Sequence, residues 1–115
     1  MTRSVVRTGD LPQILTGRHM FEGHFFGLNH LTVILGDTPP GQGAPLHRHD
    51  YEELIIVHSG RGTYTVGDET AEGGPGDLIV IPSGVPHRFR NDGPDTLSHT
   101  AVHATGTFHM DVLGA

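Results

Sequence analysis

The chain has 115 residues, a formal charge of −6 with neutral histidines, and no cysteine. That length holds one domain with a core rather than two, and the charge, without a lysine or arginine cluster, argues against a nucleic-acid surface. The lack of thiols excludes disulfides, thiolate nucleophiles and cysteine-based zinc sites.

Seventeen glycines and eight prolines signal many turns. The ten histidines are several times an ordinary share, and neutral imidazole is the commonest metal ligand. No apolar run reaches signal-peptide or membrane-spanning length, so a cytoplasmic protein without a membrane partner is expected.

A single domain over residues 1–115 is expected, with residues 1–28 as an N-terminal arm or strand. Within them "GRHMFEGHFFG" (17–27) fits either a strand with aromatic residues on one face or an arm that packs on a partner subunit. Then come short β-branched or aromatic runs: "HLTVILGD" (30–37), "EELIIVHS" (52–59), "GTYTVGD" (62–68), "DLIVIP" (77–82), "HRFRN" (87–91) and "TLSHTAVHA" (96–104). Each is bounded by Gly, Pro, Asn or Asp, and no window carries a helical stripe, which predicts an all-β antiparallel sandwich or small barrel.

Before the second run stands "PLHRHDYEELI" (45–55). In a single extended segment, residues 47, 49, 51 and 53 point to one side, so His47, His49 and Glu53 would converge on one interior. Alone, this fits a metal site or a polar strand edge equally. A second segment, "GDLIVIPSGVPHRFRN" (76–91), delivers His87 from a turn stiffened by Pro82 and Pro86 and reversed at Gly84. That histidine is well placed to complete a four-ligand site.

The two segments resemble the paired motifs of the cupins. Gly41, His47, His49, Glu53 and Gly60 match GxxxxxHxHxxxExxxxxxG, and Gly76, Pro82, Gly84, His87 and Asn91 match GxxxxxPxGxxHxxxN. The resemblance covers residues 30–104 and implies a double-stranded β-helix (jelly-roll) barrel. It also implies one divalent transition metal, Fe, Mn, Ni, Cu or Zn, held by His47, His49, Glu53 and His87. Compact members of the family dimerise through sheet faces, so a homodimer is expected.

Around these ligands, Tyr51 and Phe89 share the inward parity, while Glu52, Arg88 and Arg90 fall on the opposite face. Asn91 is expected to cap a turn. Tyr64 and His99 are the candidate catalytic residues for moving a proton, with His103 a weaker one. Alternation alone leaves the inward face of "LSHTAVH" open. His19, His24, His30, His58 and His109 have no motif support and are read as structural or surface residues.

No inward arginine or lysine is evident, which argues against a highly anionic substrate such as a nucleotide sugar. Three function classes remain, each with a small-molecule partner: a metal-dependent oxygenase, which leads; a non-redox isomerase, lyase or cyclase using the ion as a Lewis acid; and a binding or sensing barrel without turnover.

Overall fold

Short β-branched runs separated by glycine and proline turns produce eleven strands in the computed structural model, which describes residues 4–15 and 17–114. Residues 1–3 of the expected arm lie outside them. In chain order the strands are β1 (Gln13–Leu15), β2 (Arg18–Glu22), β3 (Thr32–Thr38), β4 (Gly43–Arg48), β5 (Glu53–Ser59) and β6 (Gly62–Val66). They continue with β7 (Glu69–Gly73), β8 (Leu78–Ile81), β9 (His87–Arg90), β10 (Leu97–His103) and β11 (Asp111–Val112). Single 3₁₀ turns occupy Thr8–Asp10 and Gly23–Phe26, and no α-helix occurs among the described residues. No helix there is long and apolar enough to cross a membrane.

The strands form two antiparallel sheets, ordered β1-β2-β3-β10-β5-β8 and β11-β4-β9-β6-β7. This is the expected double-stranded β-helix. Ile34, Ile55, Ile81 and Leu97 from the first sheet meet Tyr64 and Phe89 from the second in one buried cluster. Leu97 is fully buried, and enclosing a side chain of that size contributes about 1.5–3 kcal/mol.

Pairing in the first sheet sets its inner side chains in rows. Arg18, Gly36, His99 and Val57 lie in one; Met20, Ile34, Ala101, Ile55 and Ile79 in the next; Thr32, His103, Glu53 and Ile81 in a third. Along β10, residues 97, 99, 101 and 103 are all buried, which settles the inward face of that strand.

The segment read as one extended strand through residues 47–53 is instead a corner. Strand β4 ends at Arg48 in the second sheet and β5 begins at Glu53 in the first. His47, His49 and Glu53 therefore converge because the chain changes sheets between them. Strand β7 is absent from the expected elements, since its edge-strand sequence ETAEG is exposed up to Gly73 and has no apolar alternation.

Candidate metal centre

His47 sits near the end of β4, opposite His87 at the head of β9, and Glu53 opens β5 across from His103. The turn before His87 is tied to the corner that carries His49. Gly84 donates its N–H to the His49 carbonyl at 2.8 Å, and Val85 donates to Pro82 O at 3.3 Å. Gly84 has φ +80°, as the third residue of a type II turn requires. Pro82 and Gly84 thus set His87 beside His49, and the two rings lie 4.7 Å apart between centroids.

One donor atom from each of His47, His49, Glu53 and His87 lies within 4.8 Å of the others, and all four residues are buried. Each imidazole is oriented by a carbonyl of its own strand or corner. Nδ1 of His47 donates to Pro45 O (2.7 Å), Nδ1 of His49 to Tyr51 O (2.8 Å), and Nδ1 of His87 to Val85 O (2.8 Å). An Nδ1–H committed in this way leaves the neutral ring's lone pair on Nε2, the arrangement found in metal-ligating histidines.

Those lone pairs face a carboxylate. His49 Nε2 lies 2.8 Å from Glu53 Oε1 and His87 Nε2 3.2 Å from the same oxygen. His87 Nε2 is buried without a hydrogen bond. Lone pairs in such contact repel one another unless the rings take a second proton or a cation lies among them. Three imidazoles and one carboxylate match the donors of a divalent transition metal, so the group fits such an ion.

Electrostatics in the group agree with this. Burial works to raise the Glu53 pKa, but the contacts from His49 and His87 overturn it and hold the carboxyl well below its usual range. Burial lowers the His47 imidazole. Burial also works against charged His87, yet the neighbouring Glu53 carboxylate and the Val85 carbonyl leave its pKa raised.

A fourth imidazole stands beside the donor group. Tyr51 donates its hydroxyl to His109 O at 2.9 Å, so the 3.1 Å bond between Tyr51 Oη and His103 Nδ1 has His103 as donor. The His103 lone pair is then on Nε2, which is buried without a hydrogen bond, 3.7 Å from Glu53 Oε2. His103 is the weaker candidate in the sequence because its pairing with Glu53, in the register of β10 on β5, cannot be read from alternation.

Tyr64 and His99 lie elsewhere in the same interior. Tyr64 Oη and His99 Nδ1 share a hydrogen bond of 2.8 Å, and both residues are buried. Burial, with Arg18 nearby, pushes the His99 pKa down to about 4, and burial raises that of Tyr64. Both are neutral at pH 7. His47, Glu53 and His87 of the donor group line one cavity of about 380 Å³ with the Tyr64–His99 pair, walled by Ile34, Ile55, Ile81 and Phe89. A second groove of about 420 Å³, lined in part by Thr63, Arg88 and Arg90, contains none of the metal donors.

Tyr51 is buried, stacked on the His49 ring at 3.9 Å, and acts in packing. Phe89 is buried, whereas Glu52, Arg88 and Arg90 are exposed as expected. Asn91 is fully buried and holds its turn, donating to Thr38 O and Asp95 O and accepting from Gly93 N–H. His24, His30, His58 and His109 are exposed and His19 half-buried, and none lines the cavity.

One expectation is corrected. Arg18, at the head of β2, is buried and lines this cavity. The interior therefore holds an arginine where none was evident. The five-residue run RHMFE does not alternate, so only its pairing with β3 turns Arg18 inward.

Fold and donor group together define a double-stranded β-helix protein with a three-histidine, one-glutamate site able to bind a metal. The chain belongs to the cupins: residues 35–103 match the family model for the cupin domain. Among solved structures, oxalate decarboxylase of Bacillus subtilis, described for its Mn(II) centres, superimposes with a TM-score of 0.81 at 21% identity. It covers 97% of this chain and 34% of its own.

An uncharacterized protein with a double-stranded β-helix domain from Klebsiella pneumoniae gives 0.77 at 21% identity, covering 98% and 99% of the two chains. At these identities both speak for the fold alone. Gentisate 1,2-dioxygenase of a Ralstonia species is 40% identical over 55 residues, 47% of this chain and 16% of that protein. The matches span 16% to 47% of the length of the curated relatives.

Proposed function

We propose that the chain is a metal-dependent oxygenase acting on a small organic substrate. The observation that carries this is a donor group opening onto one apolar chamber of about 380 Å³, at the small end of the roughly 300–1,000 Å³ usual for ligand pockets. A bound Fe, Mn, Ni or Cu ion would supply open coordination positions and electrons for joining dioxygen to the substrate.

The chain's own side chains do the rest. Ile34, Ile55 and Phe89 exclude water, which protects reactive species from side reactions. The confined chamber holds the substrate against the donor group, so part of the encounter entropy is lost on binding rather than in the reaction. The likeness to gentisate 1,2-dioxygenase supports this reading.

The Tyr64–His99 hydrogen bond favours a second reading, a non-redox isomerase, lyase or cyclase. A neutral phenol and imidazole in contact can hold or pass a proton at Oη or Nδ1. The homodimer and the cytoplasmic setting expected above belong to the same proposal, and Leu78 and Val80, exposed on edge strand β8, offer a second copy an apolar face.

The test is oxygen uptake by Fe(II)-loaded or Cu(II)-loaded protein with a panel of diols, diketones and flavonols. Uptake matching substrate loss is expected. Substrate loss that runs equally fast under nitrogen would replace this reading with the second, and binding without loss would leave a sensing barrel.

A further inference from the structure

Arg18 is 7% exposed, and among the described residues no carboxylate forms an ion pair with it. Two exposed arginines are paired: Arg61 meets Glu72 at 3.1 Å and Arg90 meets Asp92 at 2.9 Å. A guanidinium stays charged at any physiological pH, and a buried charge without a partner is costly. Its neighbours offset that little. The guanidinium carbon lies 5.4 Å from the centroid of the Phe89 ring, and Glu53, the only acidic residue among the described residues lining the cavity, is engaged by His49 and His87 at the other end.

The position is built into the sheet. Arg18 and His99 flank Gly36 in one row. Gly36 has φ +133°, and a Cβ there would meet Gly17 O at 2.0 Å. Glycine lets β2 close onto β3, which holds Arg18 at the edge of the chamber. From the His99 row to the His103–Glu53 row is four residues of β10, about 13 Å of strand. The chamber thus has a cationic end and a metal-donor end with apolar walls between.

We propose that Arg18 anchors a carboxylate of the substrate, so that this chamber takes a small monocarboxylic acid with an apolar body. The acid group pairs with the guanidinium fork, and the far end of the molecule reaches toward His47, His49, Glu53 and His87. One guanidinium matches one planar carboxylate through two parallel hydrogen bonds. A phosphate dianion would bring a second charge, and the other arginine in the lining, Arg88, is an exposed residue next to His87 at the metal-donor end. This deepens the proposed function and rests on its reading of the cavity as the substrate chamber.

The test separates binding from turnover by using zinc-loaded full-length protein, with metal content measured in the same samples. Calorimetry compares benzoate and hexanoate with benzamide and hexanamide, and with phenyl phosphate. Wild type is expected to bind each acid at least about tenfold more tightly than its amide. Arg18→Met should lose that preference at unchanged metal content, and Arg18→Lys should keep part of it. No preference for the acids in wild type, whether neither or both bind, overturns the proposal even if a variant does not fold. So does an acid preference that survives in Arg18→Met, or tighter binding of phenyl phosphate than of benzoate. None of these outcomes depends on oxygen uptake.

Discussion

Acid should destabilise this protein through His99. Its pKa is about 4 in the folded chain against about 6.5 for an unfolded histidine. Between those values the unfolded chain binds a proton that the folded chain refuses, so stability is fully present above pH 6.5 and falls as pH drops toward 4. The slope is about 1.4 kcal/mol per pH unit, and the whole effect about 3 kcal/mol.

The perturbation is His99→Gln, which removes the titration while keeping an amide to hydrogen-bond Tyr64. Urea denaturation at pH 7 and pH 5 gives the loss for each chain. The donor group titrates in both chains and cancels in the difference. Wild type should lose about 2 kcal/mol more than the variant over that interval. Equal losses would refute the reasoning, because His99 would then titrate alike in both states.

Three further outcomes follow from single contacts. Gly84→Ala has open space for its Cβ but forces a left-handed φ, so it should cost about 1–2 kcal/mol, read by urea denaturation. It should also weaken metal binding, because Gly84 anchors the His49 corner. Leu97→Ala empties a fully buried site and should cost about 2–5 kcal/mol in the same assay with metal stoichiometry unchanged. Tyr64→Phe leaves His99 Nδ1 without its partner and should cost about 1–3 kcal/mol, again without loss of metal in elemental analysis.

Much of this architecture is written locally. Runs such as ELIIVHS and LSHTAVH carry their alternation in neighbouring residues, and the structure forms strands at 53–59 and 97–103. The donor residues were legible because Pro82, Gly84 and the paired histidines act within a few residues of themselves. What could not be read depends on partners far along the chain. The corner at 49–52 hides inside an apparently continuous strand pattern, and β7 has too little apolar content to announce itself.

Arg18 and His103 show the same limit. Arg18 turns inward only because Gly36 admits β2 against β3, and His103 reaches Glu53 only through the register of β10 on β5. That register itself shifts between Ser98 and His99, so counting by twos along the sequence would not have found it.

His47, His49, Glu53 and His87 are expected to bind one metal ion together. Elemental analysis of purified protein tests it most directly, with His49→Ala prepared in parallel. About one transition-metal ion per chain is expected in wild type, with most of it lost in the variant. A wild type without bound metal, or a variant that retains the full amount, would show that these four residues do not form a metal site.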